Sequence, residues 1–569
     1  MNIDRLLQAR AAEGRPLRVG LYGAGFMARG IVNQIAHSVP GMRVSVICNR
    51  SVDKALEAYR QAGQHARVVD GASELKRQIA AGIPAVTDDP ALLYECDALD
   101  CLIDATGAID YGARISLGAI AHGRHMVTMN AELDGTVGPL LKRKADAAGV
   151  IFSACDGDQP GVQMNLYRFV RSIGLTPLLC GNIKSLQDPY RTPATQAGFA
   201  AKWGQDPHMV TSFADGTKIS FEQAIVANGT GMSILQRGMT GYEHRAHVDE
   251  LTRRYDIEAL RAVGGAVDYV VGALPSPGVF VLASHDDAGQ QHYLNLYKLG
   301  EGPLYSFYAP YHLCHFEVPL SVARVVLLGD AVLQPLGAPL VEVIATAKRD
   351  LAIGETIDGL GGYMSYGQCE RADVTANARL LPMGVAEGCV LRHAVAKDQV
   401  LTYDDVQLPA NRLIDRLRAE QASVFADAAE LAGTRPASAY RCRSRWSRCL
   451  PVPPSASCRP GVRWPPRWWC SATACCPPRI WCSRYRHGWP RRWRTAIWVW
   501  ISSSCCRASS STTSTMPART RRAGAAITPA AASAASICRT GRWVLRWHWP
   551  IRCGPAWTMG TWAGPGLPR

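Results

Sequence analysis

Acidic residues are missing from the last part of the sequence. Between Pro436 and Arg569 there is no Asp, Glu or Lys, although this stretch contains 22 Arg, 14 of the 15 Trp and 11 of the 19 Cys. The cysteines show no paired CxxC spacing and the tryptophans follow no helical or strand period, which disfavours a metal-binding module. A GC-rich gene read in a wrong frame yields such a composition. We therefore hypothesise a frameshift near residues 430–440 and expect residues 431–569 to form a disordered tail; a basic nucleic-acid-binding tail is the alternative.

The sequence also lacks long apolar runs, and residues 1–435 lack a net positive charge. No stretch of 18 apolar residues occurs and the N-terminus has no apolar signal core, so neither a membrane span nor a secretion signal is expected. Residues 1–435 carry 40 Lys and Arg against 47 Asp and Glu, a net charge of −7, which disfavours nucleic acid as a partner. The eight cysteines of this part are scattered, as reduced thiols are. We expect a cytoplasmic protein that binds neither membranes nor nucleic acid.

A glycine-rich loop near the N-terminus carries the first positive signal. Leu17–Tyr22 reads as a buried strand, and the G-x-G-x-x-A sequence that begins at Gly23 leads directly into a helical run. In this pattern Gly23 permits the tight turn, Gly25 lets the backbone approach a pyrophosphate, and the small Ala28 allows the helix to pack closely on the strand. We therefore predict a Rossmann dinucleotide-binding domain over residues 15–155. The predicted cofactor-binding residues of this loop are Gly23, Gly25, Phe26, Met27 and Ala28.

The loop after the second strand decides between the two nicotinamide cofactors. The strand Arg43–Cys48 ends in Asn49, Arg50 and Ser51, at the position where NAD-preferring sites usually place Asp or Glu. No acidic residue is present, and Arg50 could pair with a 2'-phosphate while Asn49 and Ser51 add hydrogen bonds. The loop predicts NADP(H); an ordinary solvated surface arginine is the alternative.

Two further segments carry a family resemblance. A buried strand ends in the turn Ala105, Thr106 and Gly107, and a second strand leads into Asn130, Ala131 and Glu132. These pieces resemble the homoserine dehydrogenase family, in which D-A-T-G and V-T-x-N-K segments line the nicotinamide end of the cofactor. Here Ala131 stands where that family carries Lys, and Glu132 follows it. The resemblance implies cofactor contacts from Ala105, Thr106, Gly107 and Asn130.

Residues 156–335 are predicted to form an α+β catalytic domain. Hydride transfer to a carbonyl needs a proton donor near the developing alkoxide, and Lys is the usual donor in homoserine dehydrogenase relatives. Lys184 is favoured because it follows the apolar strand Leu178–Ile183, with Lys202 and Lys218 as further candidates and Glu222 on the helix after Lys218. An ordinary surface lysine is the alternative for each. The predicted catalytic residues are Lys184, Lys202, Glu132, Asp156, His312 and His315.

The segment around His312 and His315 concentrates polar residues in an apolar stretch. If it is a strand, His315 and Glu317 share one face. A metal would require these two side chains to meet Asp156, Asp158 or Glu132 across the cleft, whereas core histidines with satisfied hydrogen bonds are the commoner case. These residues alone do not identify the metal.

The last module is predicted over residues 336–430 as a small β-rich domain. Its repeated charged-Asp patterns at Lys348–Glu355 and Lys397–Asp405 resemble the SAF domain, a β-clip fold. Residues 15–425 as a whole resemble the 1-deoxy-D-xylulose 5-phosphate reductoisomerase-like oxidoreductases, through the PYHLCHFEVP, KRDLAIGE and LPMGVAEGC segments. This resemblance implies an NADPH-dependent enzyme of isoprenoid biosynthesis, with Mg or Mn in the rearrangement and a substrate phosphate held by Arg191, Lys184 and Lys202.

The sequence therefore predicts an α/β protein with a doubly wound Rossmann domain, and an NADPH-dependent oxidoreductase. Its expected substrate is a small polyhydroxy aldehyde or ketone, or a sugar phosphate, and a homo-oligomer is expected. Two alternatives stay open: a homoserine or polyol dehydrogenase, and a non-catalytic protein that senses or binds NADP.

Overall fold

The computed structural model of the protein describes residues 2–433, and the side chains of residues 2–426. The predicted tail lies outside the described residues from position 434 onward. Within the described part, no helix combines the length and the apolar character that crossing a bilayer requires.

The first sheet contains seven strands in the order β3-β4-β2-β1-β5-β6-β7, and every neighbouring pair is parallel. Its strands are β1 (Leu17–Tyr22), β2 (Met42–Cys48), β3 (Arg67–Val68), β4 (Ala85–Thr87), β5 (Cys101–Asp104), β6 (Met126–Thr128) and β7 (Phe152–Ala154). The helices between them are α1 (Ile3–Ala12), α2 (Phe26–Ser38), α3 (Val52–Gln61), α4 (Ala72–Ala81), α5 (Ala91–Tyr94), α6 (Ile109–Ala121) and α7 (Ala131–Ala147). The strand order reverses at β1, which is the switch point at which doubly wound sheets bind ligands. The predicted Rossmann fold is confirmed.

The central strand β1 is apolar because both faces of this sheet are covered. Val19 and Leu21 are fully buried, and they pack in one cluster with Ala28 and Ile31 of α2. Continuous apolar strands of this kind are typical of parallel sheets with helices on both sides. This packing places the first turns of α2 against the sheet, directly after β1 in the chain.

A second, mixed sheet of five strands follows, in the order β12-β11-β8-β10-β9. Strands β8 and β10 are parallel, whereas β11 runs antiparallel to both β8 and β12. Its strands are β8 (Thr176–Lys184), β9 (Tyr242–Glu243), β10 (Ala266–Val271), β11 (Gly278–Ser284) and β12 (Leu304–Ala309). The helices are α8 (Gln159–Ser172), α9 (Pro193–Trp203), α10 (Pro207–Ala214), α11 (Thr217–Thr230), α12 (Ile257–Ala262), α13 (Ala288–Leu296) and α14 (Cys314–Ala323), with a 3₁₀ helix at Val248–Arg253 and a π-helical turn at Arg324–Leu328. Helices α8 and α11 pack on this sheet.

The strand interpretation of the segment around His312 is wrong. Strand β12 ends at Ala309, and α14 begins at Cys314, so His315 and Glu317 lie on a helix. Pro310 follows the strand, and Cys314 adopts a φ of 23°, a left-handed conformation that ends the extended run. The shared strand face proposed for the two side chains therefore does not exist.

The last part of the described chain is rich in short strands. They are β13 (Val341–Ala347), β14 (Ser365–Arg371), β15 (Val390–Leu391) and β16 (Val406–Gln407), and they form two antiparallel pairs, β13 with β14 and β15 with β16. Isolated bridges such as Thr346 to Val400 add to this part of the chain. Helices α15 (Ala372–Asn377), α16 (Met383–Ala386) and α17 (Leu413–Gly433) and a 3₁₀ turn (Tyr403–Asp405) complete it. We call residues 341–407 the β-rich module. Its SAF identity and the predicted domain boundaries 15–155, 156–335 and 336–430 stay predictions.

Candidate active site

The glycine loop joins the buried end of β1 to α2 and meets the loop after β5. Gly23 has a φ of 103°, and a Cβ at this position would stand 2.9 Å from the carbonyl oxygen of Ala105. No side chain caps the first turn of α2 at Gly25, so its N–H groups remain available. Free N–H groups at a helix N-terminus attract phosphate. The local geometry therefore fits the pyrophosphate site predicted from the motif, with Phe26 exposed and Ala28 buried beneath it.

The loop after β2 exposes one cation. Arg50 is exposed and forms no hydrogen bond or ion pair with any described residue. The Asn49 amide donates to the Ser51 carbonyl oxygen at 2.8 Å, and the Ser51 hydroxyl accepts from the Lys54 N–H at the start of α3. Asn49 and Ser51 are therefore used in hydrogen bonds that shape the loop. Of the three loop residues, Arg50 has a charged side chain that is available to bind an anion.

The loop after β5 is held by the carboxylate of Asp104. This carboxylate accepts from the Thr106 hydroxyl at 2.6 Å and from the Asn130 amide at 3.2 Å. Asn130 is fully buried, and its side chain also donates to Ala108 and accepts from the N–H of Leu133. Asn130 therefore orders the two loops from within, while Thr106 and Gly107 lie partly exposed at the carboxyl edge of the sheet.

A group of ionisable side chains lies next to this edge, and we call it the acid–lysine cluster: Glu132, Asp158, Lys184, Lys218, Glu222 and His312. Glu132 lies in the first turn of α7, directly after β6, and Asp158 caps α8 directly after β7. Carboxyl ends of parallel strands are where such sheets bind ligands. Lys218 and Glu222 are one turn apart on α11.

Lys218 and Glu132 form a buried ion pair. The Lys218 Nζ and the Glu132 Oε1 are 3.2 Å apart, and their side chains are only 11% and 3% exposed. Burial alone would lower the pKa of Lys218, but Glu132, Asp158 and Glu222 together raise it above its ordinary value. The pair therefore holds the Lys218 ammonium group beside Glu132, in the first turn of α7.

Lys184 and Glu222 are the two cluster members whose pKa values are shifted toward neutral pH. Lys184 ends β8 and is partly exposed; burial lowers its pKa, against the opposing influence of Glu222. Burial, followed by the charge of Asp158, raises the pKa of Glu222 to about 8. The Asn182 amide donates to Glu222 at 3.2 Å. Displaced pKa values of this kind are typical of groups that act as acids and bases in catalysis.

His312 completes the cluster. Burial and the neighbouring Lys184 lower its pKa, and Asp158 opposes this shift. Its Nδ1 atom is buried and has no hydrogen-bond partner among the described residues. The turn that carries it is fixed by the Cys314 N–H, which donates to the Gly157 carbonyl oxygen at 2.7 Å. His312 thus presents a neutral ring to the cluster.

Three residues predicted as catalytic lie elsewhere. Lys202 is exposed on α9, with its Nζ 5.2 Å from the ring of Trp203. The His315 ring packs on α2 so closely that a Cβ on Gly30 would stand 2.6 Å from it. Asp156 is paired with Arg324. The catalytic roles of these three residues stay predictions.

Asp156 belongs to a buried polar network under α14. Its Oδ1 lies 3.0 Å from the Nη1 of Arg324, and it also accepts from the amide of Asn165 and the hydroxyl of Ser321. The side chains of Asp156 and Arg324 are 2% and 4% exposed. Every contact of this carboxylate is internal, which indicates a structural role.

The described residues do not fit the divalent ion that the resemblance implies. Among them, no group of three or more His, Cys, Asp or Glu side chains lies close enough to hold a metal. Glu132 and Asp156, the carboxylates expected to contribute, are engaged by Lys218 and Arg324.

Lys218 and Glu222 were considered from the sequence but are not among the six predicted catalytic residues, and Asp158 was named only as a possible metal ligand. In the structure Asp158 caps α8 through the N–H of Gln159. The available signal was the spacing of Lys218 and Glu222, which places both on one face of α11. The ion pair to Glu132 spans 86 positions and leaves no mark in local sequence.

Comparison with known proteins supports an oxidoreductase. Residues 157–318 match the family model described as "Oxidoreductase DRL, catalytic domain", and this range holds every member of the acid–lysine cluster except Glu132. A homoserine dehydrogenase from Methylobacillus glycogenes is 29% identical over 138 residues, which is 24% of this chain and 30% of the relative. The chain therefore matches less than a third of the length of that relative.

Solved structures of dehydrogenases are also similar. The "probable dehydrogenase from Thermotoga maritima" gives a TM-score of 0.34 at 11% identity, covering 56% of this chain and 91% of the other. GenD2 from gentamicin A biosynthesis, in complex with NAD, gives 0.29 at 14% identity, covering 55% and 87%. Scores this low carry no argument about function. The family match and the curated relative are both oxidoreductases, and they confirm the enzyme class predicted from the sequence.

Proposed function

We propose that this chain reduces the carbonyl group of a small polyhydroxy aldehyde or ketone, or of a sugar phosphate, with NADPH. The observation that carries the proposal is the acid–lysine cluster at the carboxyl edge of the Rossmann sheet, where Lys184 and Glu222 have pKa values displaced toward neutrality. The glycine loop would hold the pyrophosphate and Arg50 the 2'-phosphate.

The chemistry of the chain in this reaction is the handling of one proton. Bound NADPH supplies the hydride that reaches the carbonyl carbon. As that carbon accepts the hydride, negative charge develops on the carbonyl oxygen, and Lys184 donates a proton to it through Nζ. Glu222 returns a proton to Lys184, while Lys218, fixed by Glu132, adds positive charge beside the developing alkoxide. Glu222 then takes a proton from solvent, so that one carbonyl, one NADPH and one proton give the alcohol and NADP⁺.

The pH dependence of the reaction should follow Glu222. Reduction consumes a proton, so the cluster must be protonated to deliver it. Because the pKa of Glu222 is about 8, we expect kcat for reduction to be high below this pH and to fall as the pH rises through it. Glu222→Gln should remove that decline, measured as kcat against pH. Glu317→Gln, which changes a half-buried carboxyl of α14 outside the cluster, should keep the wild-type profile. An unchanged decline in Glu222→Gln contradicts the assignment.

Cofactor choice should depend on Arg50. Arg50→Ala should weaken NADPH binding by about 10- to 100-fold, the loss of one charge-assisted contact, and leave NADH binding nearly unchanged. Kd values for both cofactors, measured by fluorescence titration, test this. Arg60→Ala is a matched control, because Arg60 lies on the exposed face of α3 and pairs with Glu57. Equal losses for NADPH and NADH would contradict the NADP assignment.

The substrate class is tested by turnover. The purified chain with NADPH is offered glyceraldehyde, erythrose, their phosphates, 1-deoxy-D-xylulose 5-phosphate and aspartate semialdehyde, with and without Mg or Mn. Reduction of the sugars without a metal supports the proposal. Turnover of 1-deoxyxylulose phosphate only with metal would restore the isomeroreductase interpretation, and tight NADPH binding without any turnover would favour a sensor.

A homoserine dehydrogenase-like activity is the second candidate. Its support is the curated relative together with the position of Lys218, whose ammonium group lies beside Glu132, one residue beyond Ala131. Lys218 would then take over the charge of the missing family lysine. Reduction of aspartate semialdehyde in preference to the sugars would establish this alternative.

A further inference from the structure

The β-rich module contacts the part of the chain that carries the cluster lysines. After Lys184 the chain leaves the cluster through α9 and α10, and it returns at Lys218 in the first turn of α11. We call residues 185–217 the excursion. A contact that joins its two ends restrains the separation of Lys184 and Lys218, because these lysines flank it. Both ends are held by one side chain of the β-rich module.

That side chain is Lys348, which follows β13 and is 3% exposed. Its Nζ donates to the Arg191 carbonyl oxygen at 2.9 Å, in the loop that follows Lys184. It also donates to the Asp215 carboxylate at 2.8 Å and to the Gly362 carbonyl oxygen at 2.7 Å. All three protons of the ammonium group are therefore used, and two of them bind the opposite ends of the excursion.

Asp215 passes this restraint to α11. It is completely buried, and its Oδ1 accepts from the N–H of Thr217, the first residue of α11, at 2.8 Å. Strand β14 contacts the same turn, because the Gly367 N–H donates to the Thr217 hydroxyl at 3.0 Å and the Gly367 carbonyl oxygen accepts from Ser220 at 3.0 Å. Lys218 lies between Thr217 and Ser220, so its backbone is fixed on both sides.

We propose that Lys348 is a positioning residue, through which the β-rich module sets the separation of Lys184 and Lys218 in the active site. The inference rests on the proposed function, and it gives the β-rich module a role in catalysis in addition to packing. Lys348 touches neither substrate nor cofactor in this arrangement. It acts by holding the Arg191 loop and Asp215 at a fixed distance.

The test is a double variant that removes the Lys348–Asp215 ion pair without leaving either charge buried and unpaired. Lys348→Met with Asp215→Asn deletes one positive and one negative charge together, and Asp215→Asn alone reports the effect of the carboxylate while Lys348 keeps its two carbonyl partners. The control is Arg237→Met with Glu370→Gln, which removes an ion pair of 2.6 Å between β14 and another loop. Thermal unfolding shows whether the two double variants are destabilised to a similar extent.

Two readouts separate positioning from stability. For the Lys348 double variant we expect kcat to fall by about 10²-fold, the cost of a misplacement of about 1 Å, with the Kd for NADPH unchanged. The second readout needs no turnover: the pH midpoint of Lys184 amidination, followed by mass spectrometry, should move up toward that of an ordinary lysine as the segments separate. The control variant should change both quantities much less, whereas Asp215→Asn, which weakens the link to α11 but leaves the other two Lys348 contacts, should have an intermediate effect.

The outcomes are distinct. A Lys348 double variant with the control's kcat and midpoint overturns the positioning role. A wild-type protein that reduces no carbonyl overturns the proposed function, whereas a shifted Lys184 midpoint in the double variant would still show that Lys348 sets the environment of Lys184. If the double variant does not fold, Lys348→Gln with Asp215→Asn, which also removes both charges but keeps hydrogen-bonding side chains at the two positions, replaces it with the same two readouts.

Discussion

Lys184→Met should lower kcat for carbonyl reduction by about 10²- to 10⁴-fold, the range that a positioned general acid contributes. Methionine keeps the length and most of the apolar contacts of the lysine stem but cannot donate a proton. The Kd for NADPH should stay unchanged, because the glycine loop and Arg50 lie at the ends of other strands. Single-turnover kinetics with saturating NADPH measure the effect on the chemical step directly.

Lys202→Met is the matched control for this prediction. Lys202 was a sequence candidate ranked below Lys184, and it is exposed and contacts Trp203 outside the cluster. Its variant should keep kcat within about twofold, as surface changes away from a site do. A loss of activity in Lys202→Met with retention in Lys184→Met would reverse the assignment of the proton donor.

What the sequence predicted well depends on short-range rules. The loop at Gly23 is encoded by residues within one turn of each other, and the structure shows the strand, the turn and the uncapped helix in that order. Lys184 was favoured because it follows a short apolar strand, and it is the last residue of β8. Both inferences needed only the local period of burial and the chemistry of a turn.

What the sequence could not provide depends on partners far along the chain. Asp156 was predicted as catalytic from its place in the turn between the Rossmann and catalytic domains, but its partner Arg324 lies 168 positions away. The cluster acquires Lys218 through a contact with Glu132 across 86 positions. His315 and Glu317 would share one face if their segment were a strand, but β12 ends at Ala309 and both residues lie on α14. Pairing across such separations is set by the packing of whole elements.

Arg324→Met should lower the free energy of unfolding by about 3–5 kcal/mol, because it leaves the Asp156 carboxylate buried without a cation. The cost arises from the burial of Asp156, which is 2% exposed and cannot regain water when its partner is removed. Urea denaturation measures the free energy of unfolding. An unchanged slope of that free energy against urea concentration shows that both proteins unfold in two states. Activity per folded molecule should change little, since Asp156 lies outside the cluster.

Arg168→Met separates this burial effect from the loss of a surface contact. Arg168 and Arg324 both bind Asp330, but the Arg168 pair is 42% exposed on each side, so its loss should cost only about 0–1 kcal/mol. If Arg324→Met cost no more than Arg168→Met, Asp156 would have to be stable without its partner, as a protonated or solvated carboxyl. Asp156 would then regain its place among the acid–base candidates. A large difference between the two variants instead assigns Asp156 to the structure that supports α14.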